Sequence, residues 1–455
     1  MRIALSTGGG DAPGLNAVIR AAVLSAVNRG WEVLGVKKGY AGLLGEEEVI
    51  PMTAATVRGI AHLGGTILRT TNRGNPFSYP VSLPDGSFVE KDRSDELIEN
   101  ARKLGIDALI SIGGDGSISI AHQLCERGMR IVCVPKTIDN DVSGTITTFG
   151  FDTAVNTALE AIDKLHTTAE SHDRVIVLEV MGRHAGFIAL HAGLAGTADV
   201  ILIPEIPYDI EKVCEKIMAR SRSGRHFSIV VIAEGAFPKG EGPAIRGRSM
   251  PGQAARIGGV AERLADEIEE RTKKETRSLI LGHLQRGGQP TSYDRLLAAS
   301  VGGAAVRAVA EEKWDHMIVL QSPPLVTLPL ADVLKTPNRV EIGHDTVFPA
   351  RAPGILFGDS TQVNQAPPPS GVPRCSHPGA PRQRHREDRV LRRPHLQEAL
   401  IGLGVVHGDP ALVRDHAAVE LAAPGEEREE HHFEIGLLAE VEQVLEKRIG
   451  RRREE

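Results

Sequence analysis

Short aliphatic segments alternate with longer amphipathic segments along most of this chain. Segments that are apolar on nearly every residue are typical of parallel strands covered on both faces, and the amphipathic segments between them indicate the covering helices. The alternation predicts a doubly wound, mostly parallel α/β fold, and its length predicts two such α/β/α domains. The predicted strands are 2–7, 31–36, 107–112, 130–134, 174–180, 199–203, 227–233 and 277–281, and the predicted helices are 14–29, 94–104, 117–127, 152–168, 209–222, 255–271 and 292–311.

Composition excludes several function classes. The net charge of −6 over 455 residues is too mildly acidic to indicate nucleic-acid or membrane binding. No apolar run approaches the roughly 20 residues needed to span a bilayer, and the apolar part of the N-terminus is too short for a signal peptide. The four cysteines form no CxxC pair. Reduced thiols and a cytoplasmic location are therefore expected.

The composition changes near residue 360. The stretch 365–395, "QAPPPSGVPRCSHPGAPRQRHREDRVLRRPH", is rich in proline, arginine and histidine. Such a segment cannot bury enough apolar surface to fold, so residues 360–455 are predicted to be a disordered, irregular extension. Helical spacing is present only at 434–449, which predicts either a docked terminal helix or a marginal exposed one. The extension is either an added regulatory segment or sequence without selected function.

Two glycine-rich loops follow predicted strands. The first, "STGGGDAPG", contains Gly10, and the second, "SIGGDGS", contains Gly114, Asp115, Gly116 and Ser117. Without a Cβ, glycine lets backbone N–H groups approach a phosphate, and the helix that follows adds the positive end of its dipole. Asp115 is a candidate ligand for Mg²⁺, which usually takes only one or two carboxylates. The alternatives are a simple glycine turn and an aspartate that caps the next helix.

A polar hook follows the strand at 130–134. In "PKTIDND" the candidates are Lys136, Thr137, Asp139 and Asp141. In an extended segment alternate side chains share a face, so the last three would point into one cleft. Asp139 would accept a proton from a substrate hydroxyl, Asp141 would orient it or influence the metal, and Thr137 would donate to a phosphate oxygen. Lys136 would offset the charge that develops during phosphoryl transfer. The alternative is a turn stabilised by its own side chains.

Basic residues flank two later strands. Arginine binds phosphate bidentately, so arginines at strand ends are candidate clamps for an anionic substrate. His283 is a candidate hydrogen-bond donor, or else a core histidine with satisfied partners. Glu234, after an apolar strand, is a candidate for holding a sugar hydroxyl. The further candidates in this group are Arg174, Met181, Gly182, Arg183, Arg277 and Arg286.

The motifs together resemble the 6-phosphofructokinase family. The resemblance covers about residues 1–359 and rests on "GGGDAPGLNAVIR", "TNRG", "IGGDGS", "PKTIDND", "ESHDR", "MGRHAG", "AEG" and "LGHLQRGGQPTSYDR" in that order. It implies phosphoryl transfer with Mg²⁺ to the 1-hydroxyl of fructose 6-phosphate, in a cleft between two domains. It implies a donor-binding domain of 1–149 with 284–312 and a sugar-phosphate-binding domain of 150–283 with 313–359.

The resemblance also implies roles for individual residues. The phosphoryl donor would contact Gly10, Arg73 and Gly114 to Ser117, and Asp115 would serve the metal. The sugar phosphate would contact Thr137, Asp139, Met181, Gly182, Arg183, Glu234, His283 and Arg286, with Asp139 as base and Arg183 also stabilising the transferring charge. Arg174 and Arg277 would reach across a subunit interface, which implies a homodimer or homotetramer.

Two residues give opposite indications about the phosphoryl donor. Relatives that use pyrophosphate typically have aspartate where this chain has Gly116, and that carboxylate would crowd and repel the α-phosphate of ATP. Lys136, in contrast, is typical of pyrophosphate users, although some ATP users carry it too. Because Gly116 controls access, ATP is the favoured donor and pyrophosphate the alternative. A catalytically silent sensor of sugar phosphate or nucleotide is a third hypothesis, and the presence of Asp139 and Asp115 argues against it.

Overall fold

The computed structural model describes residues 1–85, 87–244, 258–321, 325–343 and 347–360. The predicted extension, apart from its first residue Ser360, lies outside the described residues, and so does the predicted helix at 434–449. No helix in the described ranges is both long and apolar enough to cross a membrane.

Helices and strands alternate along the described chain as the sequence predicts. The strands are β1 (Arg2–Thr7), β2 (Glu32–Val36), β3 (Val49–Met52), β4 (Tyr79–Ser82), β5 (Phe88–Lys91), β6 (Ala108–Gly113), β7 (Ile131–Pro135), β8 (Val175–Val180), β9 (Val200–Leu202), β10 (Ser228–Ala233), β11 (Thr276–Ile280), β12 (His316–Leu320) and β13 (Leu325–Pro329). The helices are α1 (Leu15–Val27), α2 (Ser94–Lys103), α3 (Asp115–Glu126), α4 (Phe151–Ser171), α5 (Phe187–Ala195), α6 (Ile210–Arg222), α7 (Val260–Thr272), α8 (Ser292–Ala310), α9 (Leu330–Val333) and α10 (Phe348–Arg351). Two 3₁₀ helices span Pro76–Ser78 and Gly282–Arg286.

Two main sheets carry the fold. The first has seven strands in the order β13-β12-β7-β6-β1-β2-β3, parallel except for β13 and β3 at its edges. The second has four parallel strands in the order β11-β8-β10-β9. Strands β4 and β5 form a separate hairpin. In the first sheet Thr7 is in register with Ile112, and Gly113 with Pro135, so the loops that follow these three strands begin at one edge.

Apolar layers cover both faces of each main sheet. On the first sheet α1 and α8 pack over one face, and α2, α3 and α9 over the other. On the second sheet α4 and α5 bury one face, and α6 and α7 the other. Helices on both faces of a mostly parallel sheet constitute the doubly wound α/β/α architecture. The predicted fold class is thus confirmed for both sheets.

Some elements were missing from the prediction. Helix α5 is apolar around its whole circumference, so it lacks the polar stripe that marks a surface helix. Strand β3 contains Pro51 and is mostly half-exposed, as expected of an edge strand. The predicted domain division also differs from the strand pairing. Residues 313–359 were assigned to the second domain, but β12 pairs with β7 and β13 pairs with β12, which places both strands in the first sheet.

The chain passes between the two sheets more than once. It crosses from the first sheet to the second between β7 and α4, and returns between β11 and α8. It crosses again between α9, which packs on the first sheet, and α10, which packs on the second. Buried Asp294 of α8 strengthens this junction by accepting hydrogen bonds from the backbone N–H (2.8 Å) and the hydroxyl (2.6 Å) of Thr153 on α4.

The contact between α1 and α8 offers a test of this packing. A Cβ added to Gly302 would lie 2.6 Å from the backbone oxygen of Val18, whereas a Cβ on its neighbour Gly303 would lie 3.7 Å from Ser25 Oγ. We expect Gly302→Ala to lower the free energy of unfolding by about 1–3 kcal/mol, because α1 must shift. Gly303→Ala should leave stability unchanged or raise it by up to about 1 kcal/mol through helix propensity. Chemical denaturation measures both, and equal effects would contradict the packing described here.

Candidate active site

The two glycine loops pack directly against each other. The N–H of Gly8, after β1, donates to the oxygen of Ile112 in β6 at 2.9 Å. Ser117, in the first turn of α3, fills the space beside both loops: Cβ atoms on Gly8 and Gly113 would lie 2.6 and 2.3 Å from its Oγ. Only residues without a Cβ permit this approach. The loops containing Gly10 and Gly114 therefore form one surface.

Lys136 connects the acidic hook to both loops. Its backbone N–H donates to the oxygen of Gly113 at 2.9 Å, and its Nζ donates to the oxygen of Gly10. The side chain is buried, and burial, together with the charge of Arg286, lowers its pKa to about 8. The ammonium form therefore still predominates at neutral pH, so Lys136 places a positive charge at the back of the loops.

The hook itself is a turn and is not extended. The chain bends at Ile138 and Asp139, and Asn140 has a φ of 56°, so the predicted alternation of side chains is wrong beyond Lys136. Local bonds cause the bend: Thr137 Oγ1 accepts the N–H of Asp139 at 3.1 Å. Asn140 Oδ1 accepts the N–H of Thr148 at 3.0 Å. The alternative interpretation, a self-stabilised turn, thus accounts for Thr137 and Asn140.

Asp139 is not explained by turn formation. It is buried, and its Oδ1 has no hydrogen-bond partner among the described residues. Burial raises its pKa to about 7, and the charge of Asp141 adds to the effect, while Arg286, Lys136 and Arg183 oppose it. A buried carboxylate with a free lone pair and a pKa near neutrality has the properties of a general base.

Asp115 is the first residue of α3, at the edge where Gly114 and Gly116 expose the backbone. Burial and the charge of Asp141 raise its pKa to about 6. Two carboxylates that repel each other beside a phosphate-sized loop fit a divalent cation, because the cation would relieve the repulsion. Among the described residues no group of three or more potential ligands could hold a metal by protein alone.

The second sheet contributes the opposite wall. Met181, Gly182 and Arg183 follow β8, and Glu234 follows β10, where Val180 and Ala233 are in register. Burial raises the pKa of Glu234 to about 7, with Asp139 as the next cause, so these two carboxylates lie close together. Arg183 Nε is buried without a hydrogen-bond partner in the described part of the chain. One oxygen of Asp139 and one nitrogen of Arg183 therefore lack a hydrogen-bond partner in the described residues, and the charge of Arg183 acts on Asp139.

The 3₁₀ helix Gly282–Arg286 completes this wall. His283 is exposed, and Arg286 Nη1 donates to the oxygen of Asp11 in the first glycine loop at 3.1 Å. Gln285, which the sequence analysis missed, is fully buried between them. Its Oε1 accepts the N–H of Met181 at 2.7 Å and its Nε2 donates to the oxygen of Ala154 at 3.4 Å. Gln285 thus fixes the helix with His283 and Arg286 against the end of β8.

Arg174 and Arg277 lie elsewhere. Arg174 directly precedes β8 and Arg277 is the second residue of β11, so at about 3.3 Å per residue they lie about 20 Å and about 10 Å from the carboxyl ends of their strands. Both pair with Glu275, at 2.7 and 2.6 Å. The structure therefore does not bring them to the cleft of their own chain. Arg73 is exposed, two residues after Thr71, whose oxygen accepts the N–H of Gly9 at 3.1 Å.

Comparison with known proteins agrees with this arrangement. The family model described as phosphofructokinase matches residues 2–309. The chain belongs to the phosphofructokinase family. An ATP-dependent 6-phosphofructokinase of Chloroflexus aurantiacus is 51% identical over 358 residues, which cover 79% of this chain and 98% of the relative. A pyrophosphate–fructose 6-phosphate 1-phosphotransferase of Amycolatopsis methanolica is 48% identical over 349 residues, which cover 75% of this chain and 98% of the relative.

Solved phosphofructokinases have the same fold. The T-state crystal structure of Pichia pastoris phosphofructokinase matches with a TM-score of 0.63 and 31% identity over 73% of this chain. The match covers 35% of the Pichia chain, so this chain spans about a third of that protein. A pyrophosphate-dependent phosphofructokinase of Marinobacter aquaeolei matches with a TM-score of 0.63 and 25% identity, over 78% of this chain and 91% of the other. The family resemblance of the sequence is confirmed.

The buried amide of Gln285 can be tested in this phosphofructokinase by an apolar substitution of similar size. Gln285→Leu would leave the N–H of Met181 and the oxygen of Ala154 unpaired in the interior. We expect the free energy of unfolding to fall by about 1–3 kcal/mol, the cost of an unsatisfied buried group. Gln289→Leu, at an exposed position of the same loop, is the matched control and should change stability by less than about 0.5 kcal/mol. Indistinguishable denaturation midpoints would refute a structural role for Gln285.

Proposed function

We propose that this phosphofructokinase transfers the γ-phosphoryl group of ATP to the 1-hydroxyl of fructose 6-phosphate, giving fructose 1,6-bisphosphate and ADP, the committed step of glycolysis. The relatives at about 50% identity named ATP-dependent 6-phosphofructokinase support this activity. The observation that carries the proposal is the buried, unpartnered Oδ1 of Asp139, on which the charges of Arg286, Lys136 and Arg183 act. Binding alone would not require a carboxylate to be buried without a partner.

The described residues suggest that the two sheets bind different substrates. The first sheet binds the donor through Gly10, Arg73 and Gly114 to Ser117, and the second sheet binds the sugar phosphate through Met181, Gly182, Arg183, Glu234, His283 and Arg286. Asp139 Oδ1 accepts the proton of the 1-hydroxyl as its oxygen attacks the γ-phosphorus and the bond from that phosphorus to the β–γ bridging oxygen breaks. Arg183 and Lys136 offset the negative charge that develops on the transferring group, and Thr137 orients it.

Asp115 is the residue that would hold Mg²⁺. When bound, the ion neutralises charge on the donor phosphates and helps to align them for in-line transfer. The negative charge of Asp141 raises the pKa of Asp115 and also that of Asp139. We infer that Asp141 orients the catalytic carboxylate and adjusts the field at the metal.

We further propose that the functional protein is a homodimer or homotetramer with shared active sites. The support is the position of Arg174 and Arg277, at the edge of the second sheet opposite to the cleft of their own chain. There the two guanidinium groups pair with Glu275 of their own chain, and we propose that they also contact a neighbouring subunit. We also propose a cytoplasmic location, which suits a glycolytic enzyme with reduced thiols.

The donor assignment can be tested by measuring turnover of the purified chain with ATP and with pyrophosphate. We expect higher kcat/KM with ATP, because a Cβ on Gly116 would meet nothing within 4 Å, so the position is open to a nucleotide. Gly116→Asp should lower kcat/KM for ATP by about tenfold or more through repulsion of the phosphates. Gly242→Asp, at another open glycine, is the control and should leave activity unchanged. Faster turnover with pyrophosphate would overturn the donor assignment, and no turnover with either donor would favour the sensor hypothesis.

The raised pKa of Asp139 predicts the pH dependence of the reaction. As a base it must be ionised, so kcat/KM should fall as the pH drops below about 7. Because the charge of Asp141 raises this pKa, Asp141→Asn should move the acidic limb to lower pH by about one unit. Asp163→Asn, at an exposed position of α4, is the control and should not move it. If the acidic limb of the kcat/KM profile stays at the same pH in Asp141→Asn, or moves to higher pH, the role given to Asp139 is contradicted.

A further inference from the structure

The connection between α9 and α10 runs past the acidic hook. Within it, Asn338 binds the hook twice: its Nδ2 donates to the oxygen of Asn140 at 2.8 Å, and its backbone N–H donates to the oxygen of Asp141 at 2.9 Å. These oxygens belong to the two peptide groups that flank Asp141. Nearly 200 residues of sequence separate Asn338 from the hook, so the contact is purely tertiary.

The same connection is anchored on the second sheet. The N–H of Val340 donates to Glu205 Oε1 at 2.9 Å. The carboxylate of Glu205 also accepts the N–H of Gly186 at 3.0 Å, three residues after Arg183. Asn338 and Val340 therefore join the turn that carries Asp139 and Asp141 to the segment that carries Arg183. Hydrogen bonds to a charged carboxylate are stronger than neutral ones, so Glu205 holds the backbone at Val340 close to the backbone at Gly186.

The hook requires this external hold because its local bonds fix only one side. Thr137 fixes Asp139 from within the turn, and Asn140 binds Thr148 through its side chain. Asn140 also has the left-handed φ of 56°, a conformation that costs most residues about 1 kcal/mol or more. Without Asn338 the oxygens of the two peptide groups around Asp141 would lose these hydrogen bonds, and the Asp141 carboxylate would be held less firmly.

We propose, on the basis of the phosphoryl-transfer function inferred above, that Asn338 is a positioning residue that holds Asp141 facing Asp139 and Asp115. Other charged groups also face this region: Lys136 at the start of the hook, Arg183 after β8, Glu234 after β10 and Arg286 in the 3₁₀ helix. None of these four charged groups is held by Asn338. Loss of Asn338 would therefore displace Asp141 relative to all four. The effect on the reaction passes through Asp141 and not through direct contact with substrate.

A double-mutant cycle in the full-length chain tests this coupling. We expect Asn338→Ala to lower kcat about tenfold while KM for fructose 6-phosphate and for ATP each change less than about threefold. If Asn338 acts through Asp141, adding Asn338→Ala to Asp141→Asn should reduce kcat little further. Thr336→Ala, at an exposed position of the same connection, is the matched control and should retain the kcat of the unsubstituted protein.

Each outcome of the cycle decides the proposal. Multiplying losses in the double variant would mean that Asn338 acts independently of Asp141 and would overturn the proposal, as would an Asn338→Ala variant as active as Thr336→Ala. Asn338→Ala and Asn338→Ser both keep the backbone bond to Asp141 and lose the amide bond to the oxygen of Asn140. Should Asn338→Ala not fold, Asn338→Ser, which keeps a polar side chain, should show the same pattern with a smaller loss. Failure of the underlying function is distinguishable, because the unsubstituted protein would then show no turnover of fructose 6-phosphate with ATP.

Discussion

The buried carboxylate of Asp139 is the constraint on which the rest of the site depends. A carboxylate removed from water with one oxygen unpaired is destabilising unless other charges compensate it. Three cations supply that compensation here, and they come from three places: Lys136 from the hook, Arg183 from the end of β8, and Arg286 from the 3₁₀ helix. The burial leaves the carboxyl group titrating near neutrality, which suits a proton acceptor. The three cations keep part of the Asp139 carboxyl group ionised near neutral pH, so that it can accept a proton.

This compensation requires two sheets. The hook leaves the first sheet at the end of β7, while Arg183 and Arg286 are placed by the second sheet and its neighbouring 3₁₀ helix. The first sheet alone would leave Asp139 with only Lys136 to compensate it, and the second sheet alone would leave Arg183 and Arg286 without their acidic counterpart. The register of the strands then determines where the site lies, because Thr7, Gly113 and Pro135 end their strands at one edge of the sheet. The electrostatic compensation of Asp139 therefore depends on the presence of both domains.

The sequence predicts the parts of this arrangement that depend on local pattern. Runs such as 131–134 and 229–233 are apolar throughout, so they identify buried strands and, with them, the loops at their ends. The bend of the hook could not be read in this way, because hydrogen bonds of Thr137 and Asn140 override the alternation of an extended chain. Gln285 and Asn338 were missed for a related reason. Each is a polar residue whose partners are backbone groups more than 100 positions away, and no spacing in the sequence records such a contact.

The structure adds a reason to give Gly116 more weight than Lys136 as an indicator of the phosphoryl donor. From sequence, Lys136 and Gly116 point to different phosphoryl donors. In the fold Lys136 Nζ donates to the oxygen of Gly10, and the side chain is buried among acidic neighbours, so its charge stabilises the loop and hook whichever donor is bound. The packing of the protein does not require glycine at position 116, since a Cβ there would meet nothing within 4 Å. A residue that the protein itself does not require to be glycine is best explained by the ligand beside it. The absence of a side chain at 116 is therefore the more informative of the two, and it favours a donor as large as a nucleotide.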